Sequence, residues 1–220
     1  MTYDQIAAEI AAASFVPLGS FNPGPDDRVP GKAGTLILIG NAGPLMWQRF
    51  TAERADATTT MDSWTEKVLS ALAEKLGGTV LFPFATPPLP FLSWAQRARA
   101  GFVSPLGMNI HPDFGLWHAF RGALVVPQVL DLPAGSSAAH PCESCSDKPC
   151  LSTCPVDAFD GTGYDVDACA AHIATPQGAD CLSQGCKARH ACPVGTDYQY
   201  LPEQANFHMS AFLKARQNAA

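Results

Sequence analysis

Eight cysteines carry the chemistry that this sequence offers, and all lie between Cys142 and Cys192 of a 220-residue chain. The first run is Cys142-x2-Cys145-x4-Cys150-x3-Cys154-Pro155; the second is Cys169, then Cys181-x4-Cys186-x5-Cys192-Pro193. Thiolates at short spacing grip a soft metal centre from one side, and backbone N–H groups of the loop can then point at its sulfurs. A C-x2-C pair is also a half-site for tetrahedral zinc, so two zinc ions held by four thiolates each would use all eight cysteines too. Disulfides are the third use of eight thiols. The C-x3-C-P tail is an iron–sulfur feature, in which the last cysteine of a run reaches the other of two clusters. Both runs end in Cys-Pro-Val, and proline turns the chain away from the site by fixing φ. The expected cofactors are therefore two [4Fe–4S] clusters.

The elements that must position these thiols divide at the composition shift between Asp131 and Pro141, which reads as a linker. Residues 1–135 are expected to form an α/β (α+β) core domain, and residues 136–220 a ferredoxin-like two-cluster module with a C-terminal helix. In the first part, residues 3–13 are good helix formers with Ile6 and Ile10 on one face. A loop is expected from Gly19 to Gly34. Thr35–Ile39 is a continuous apolar run of strand length. Gly40–Pro44 reads as a turn into a helix through Glu53. Thr60 offers an N-cap for a helix through Lys75, closed by Gly77 and Gly78. Strands are expected at Thr79–Phe82 and Arg121–Val126, with a helix after Pro90 and another near Pro202–Arg216. This alternation predicts a sheet covered by helices.

Outside the cysteines, two groups of residues could bind or react. Gly40, Asn41, Ala42 and Gly43 could cradle an anion at a helix N-terminus, with Trp117 as a stacking face for a cofactor. A tight connection and a packed core aromatic are the plainer uses of the same residues. The segment Ser104–Gly122 is rich in Gly and Pro, so no long helix is expected there. It carries His111, His118 and Arg121, which offer two proton donors and an anion-binding fork. A pocket between the two halves would use them catalytically; a joining loop would use them for backbone hydrogen bonds.

Composition excludes several classes. A net charge of −6 argues against a nucleic-acid partner. No apolar stretch approaches the ~20 residues of a membrane span. The N-terminus MTYDQIAAEI lacks a basic segment before an apolar one, so a cytoplasmic, reducing location is expected, where thiols serve metals rather than disulfides. Between His140 and Gly195, seven acids (Glu143, Asp147, Asp157, Asp160, Asp165, Asp167, Asp180) face three bases (Lys148, Lys187, Arg189). An acidic face of this kind suits a basic redox partner protein; an ordinary solvated surface is the plainer reading.

The cysteine order, with Pro155-Val-Asp-Ala-Phe and a lone Asp-Ala-Cys169, resembles the dicluster module of epoxyqueuosine reductases and corrinoid reductive dehalogenases, with longer spacings at 145–150, 181–186 and 186–192. Thr35–Pro44 weakly resembles the cobalamin-processing proteins, whose core is nitroreductase-like. Ser104–Gly122 followed by this module is similar to a group of uncharacterised bacterial ferredoxin-like proteins. The resemblance implies one cluster on Cys142, Cys145, Cys150 and Cys192, and another on Cys154, Cys169, Cys181 and Cys186. It further implies electron delivery to a cofactor, cobalamin or flavin, or to a substrate held by the first domain. A plain carrier with a structural N-terminal domain, and a zinc-binding interaction protein, are the alternatives.

Overall fold

The apolar run at Thr35 is the axis of a four-stranded antiparallel sheet. The computed structural model describes residues 1–56, 58–133, 139–161 and 163–219, and these gather in two units: Met1–Phe102 with His118–Ala138, and Val103–Trp117 with Ala139–Ala220. The expected boundary at 135/136 lies outside the described residues. The segment 103–117, expected in the first domain, belongs to the second unit.

In the first unit the strands are β1 (Val16–Phe21), β2 (Thr35–Ala42), β3 (Thr79–Leu81) and β6 (His118–Val126), in the order β1-β2-β6-β3. The short strands β4 (Phe102–Val103) and β5 (Asn109–Ile110) pair separately as a two-stranded ribbon. Every residue of β2 is buried, which explains the apolar run Leu36–Ile39 in an antiparallel sheet. Helices α1 (Tyr3–Ala12) and α4 (Phe91–Arg97) pack on β1, α2 (Leu45–Glu53) on β2, and α3 (Met61–Lys75) on β3 and β6. A capping box starts α1: Thr2 Oγ1 accepts Gln5 N–H at 3.3 Å and Gln5 Oε1 accepts Thr2 N–H at 2.9 Å. Ile6 and Ile10, one turn apart, are its buried face. Thr60 caps α3 through Ser63 N–H at 3.1 Å. Rings of Phe15, Phe50 and Trp64 meet at 5.6–5.7 Å between the helices and the sheet. All three strand pairs of the four-stranded sheet are antiparallel, so the architecture is α+β.

Two expectations about this unit need correction. The loop expected from Gly19 begins only after Phe21, because Gly19–Phe21 pair with β2. Pro17 and Gly19 disguise β1, yet proline is tolerated on an edge strand and the register shifts between them. Gly40, Asn41 and Ala42 are not a turn; they extend β2, and only Gly43 and Pro44 lie between it and α2. Gly40 sits at a second register shift, against β6. A Cβ there would overlap the Ala119 carbonyl oxygen and crowd Leu18.

The second unit contains α5 (Val166–Ile173), α6 (Ala179–Gln184), α7 (Lys187–His190) and α8 (Pro202–Ala219), with α5 and α6 packed on α8. Trp117, Tyr200 and Ala205 form a buried cluster in it. Among the described residues no helix is long and apolar enough to cross a membrane.

Gly40→Ala is expected to destabilise the chain by about 1–3 kcal/mol, the usual cost of overpacking. A thermal or urea unfolding midpoint indistinguishable from the parent would contradict this account of the bulge.

Candidate functional site

Each thiol is placed by a short local device. Cys150 lies in a 3-10 turn, Pro149–Leu151. Cys169 is on α5, whose N-cap Asp165 accepts Ala168 N–H at 2.9 Å. Cys181 is on α6, and Cys186 is the residue from which α7 starts. Cys192 follows α7 directly. All eight thiols are free; Cys181 and Cys192 are buried and the others half-buried.

The thiols fall into two quartets. Cys142 feels Cys192, Cys150 and Cys145; Cys150 feels Cys192 and Cys145; Cys192 feels Cys145. Separately, Cys169 feels Cys154 and Cys181, and Cys186 feels Cys169 and Cys154. Cys154, Cys169, Cys181 and Cys186 also wall a common cavity. Burial first, and neighbouring thiolates second, push the Cys142 thiol up to about 11. Burial likewise raises Cys150, Cys169, Cys186 and Cys192. Thiolates so crowded are unfavourable unless a cation shares them.

Donors already aim at the sulfurs. Cys154 Sγ accepts Ala158 N–H at 3.4 Å. The N–H groups of Ala188 and Arg189 favour the Cys186 thiolate, that of Val194 the Cys192 thiolate, and those of Cys150 and Leu151 the Cys150 thiolate. The Tyr164 hydroxyl donates to Cys169, and Tyr164 stacks on Phe159 at 4.6 Å and 14°. Backbone N–H groups on cysteine sulfur are what a buried iron–sulfur centre requires, so the donor set fits such a group. Among the described residues no three His, Cys, Asp or Glu side chains converge on one point as ligands of a single ion.

The remaining candidate residues are divided between the units. Asn41 and Arg121 meet in the first: Arg121 Nε donates to Asn41 Oδ1 at 2.9 Å across β2 and β6. His118 is buried at the start of β6, edge-on to Phe120 at 5.6 Å. Gly43 holds the turn into α2 with φ 64°. His111 and Trp117 belong to the second unit. His111 is buried, and its Nδ1 accepts the N–H of Asp113 at 3.0 Å. That bond ties the tight loop in which His111 and Gly115 exchange backbone hydrogen bonds. Trp117 is 1% exposed and carries the Arg189 guanidinium 4.4 Å above its ring. Arg189 stacks on Tyr200 at 4.5 Å as well, and its Nε donates to Leu116 O at 2.9 Å.

Sequence reasoning missed Tyr164 and Arg189 as site residues. The signals available were a tyrosine five residues before a lone cysteine, and an arginine between Cys186 and Cys192 in an acidic module. It also missed why Gly115 is glycine. Gly115 has φ +56°, and a Cβ there would collide with the Val194 carbonyl, two residues beyond Cys192.

The two units thus define an antiparallel α+β sheet domain and a module of eight thiols. Solved structures of epoxyqueuosine reductase share this fold. The one from Streptococcus thermophilus aligns with a TM-score of 0.54 at 15% identity, over 93% of this chain and 70% of that one. A second, of epoxyqueuosine reductase with a tRNA-Tyr epoxyqueuosine-modified stem loop, aligns at 0.52 and 15% identity over 92% and 69%. At this identity the likeness is one of fold. No protein-family model and no curated protein matches the sequence.

Gly115→Ala is expected to push Val194 and Cys192 out of place and to lower the metal content of the first quartet while the second is retained. Unchanged metal content with an unchanged melting midpoint would refute the coupling.

Proposed function

We propose that this chain is an iron–sulfur electron-transfer protein, with Cys142, Cys145, Cys150 and Cys192 holding one [4Fe–4S] cluster and Cys154, Cys169, Cys181 and Cys186 the other. The observation that carries this reading is the sorting of eight free thiols into two quartets, each completed by a cysteine from the other run. Such clusters supply one-electron transfer at potentials set by charge and by hydrogen bonds to sulfur. Here the chain's own residues do the setting. Acidic neighbours lower the potential, and the N–H donors with Tyr164 raise it. The acidic module favours a basic protein as redox partner. The first unit is the natural holder of the acceptor, a bound cofactor such as cobalamin or flavin, or a substrate; the shared fold with epoxyqueuosine reductase supports a reductase of that general kind.

The test is anaerobic reconstitution with iron and sulfide counts and a visible spectrum. About eight irons per chain with broad absorption near ~400 nm are expected from two cubes. Stoichiometric zinc in a colourless protein would end the reading. Cys150→Ser and Cys154→Ser should each remove one centre, and different ones; two variants with full iron would contradict the partition. A further visible band in protein purified from cells would identify a flavin or corrinoid acceptor.

Tyr164→Phe removes one hydrogen bond to Cys169. With hydrogen bonds worth about 1 kcal/mol, one of two midpoint potentials should fall by roughly 40 mV for one electron. A redox titration in which neither potential moves, or both move equally, would count against this role for the phenol.

A further inference from the structure

The second unit contains another cavity, of about 230 Å³, beside the one walled by four cysteines. The two share Cys169 and Cys186 as a common wall. One side of the larger cavity is a ladder of near-parallel rings: Phe159 on Tyr164 at 4.6 Å and 14°, and Tyr164 toward Phe212 at 6.5 Å and 26°. Trp117 also lines it, carrying the guanidinium of Arg189. Walls of flat rings favour a flat occupant, because offset stacking adds to apolar burial.

Size and charge narrow the occupant. An apolar cavity of ~150 Å³ holds one benzene, so this one has room for two fused rings. Among the described residues no carboxylate pairs with Arg189; the hydrogen bonds described for its side chain go to the Leu116 carbonyl and its faces are covered by Trp117 and Tyr200. It is therefore a cation fixed in position at an apolar cavity, a donor for an oxygen acceptor. An anion would be opposed by the thiolates and by the seven acids of the module. A cation would meet Arg189.

We propose that this cavity is a binding site for an uncharged, planar, bicyclic aromatic molecule bearing a hydroxyl or carbonyl oxygen, stacked on the Tyr164 ladder with its oxygen toward Arg189. The ligand would lie against the sulfur wall of the second quartet, and in this the inference deepens the electron-transfer reading. Binding itself does not depend on which metal the quartets hold.

The experiment is calorimetric titration of the full, metal-loaded chain with 2-naphthol, followed by electron paramagnetic resonance of the reduced protein with and without it. Saturable binding at one site is expected, at least tenfold tighter than that of 2-naphthoate. Met108→Trp, which fills the cavity from its wall, should weaken binding at least tenfold with metal content unchanged. If that variant does not fold, Phe212→Ala, which removes one ring of the ladder, serves the same purpose. One of the two paramagnetic signals should shift on binding. Absence of saturable binding, binding indifferent to both variants, or equal affinity for naphthoate overturns the proposal. So does binding to the metal-free chain alone, since the cavity would then be space that the metal centre takes. Zinc in the quartets with 2-naphthol still bound would end the electron-transfer reading and leave this site standing.

Discussion

In the proposed ligand sets, each quartet of thiols takes three members from one cysteine run and one from the other, and that exchange would organise the second unit. On that proposal Cys192 reaches back to Cys142, Cys145 and Cys150, and Cys154 reaches forward to Cys169, Cys181 and Cys186. The two loops are therefore interlocked, and neither can be completed by its own residues. Few large apolar side chains are buried among these loops. With the proposed clusters, metal binding would be a larger part of folding for this unit than for the first, where a strand buried at every position and a cluster of rings supply the core.

The quartets are not equivalent. Around the second, Ala158, Ala188 and Arg189 donate backbone N–H groups, the Tyr164 hydroxyl adds a fourth donor, and the Arg189 guanidinium is held nearby between two rings. Around the first, the N–H groups of Cys150, Leu151 and Val194 stabilise the thiolates, and Lys148 supplies the positive charge. Hydrogen bonds and positive charge stabilise the more negative state of any centre bound to sulfur.

The parts legible in the sequence were those governed by local rules. Thr2 with Gln5, Thr60 with Ser63, and the spacing of Ile6 and Ile10 announce helix starts and faces that depend on residues within one turn. Partners distant in sequence hid the rest. Pro17 and Gly19 look like loop residues until β2 lies beside them, and Gly40 looks like a turn until Ala119 occupies the space of its missing side chain. His111, His118 and Arg121 were grouped because they are neighbours in sequence. Between Trp117 and His118 the chain passes from one unit to the other, which the sequence does not announce.

That passage has a consequence for the chain as a set of exchangeable parts. The polypeptide leaves the first unit after Phe102, contributes the loop 103–117 to the second, and returns to lay down β6 between β2 and β3. The strand inserted last completes the sheet, and the loop that precedes it supplies Trp117, against which Arg189 and Tyr200 are packed. No single cut separates the units with each intact. A gene segment carrying the eight cysteines alone would lack the aromatic floor of its own module, so the thiol module cannot be inherited, fused or transplanted as a terminal cassette in the way a simple ferredoxin domain can.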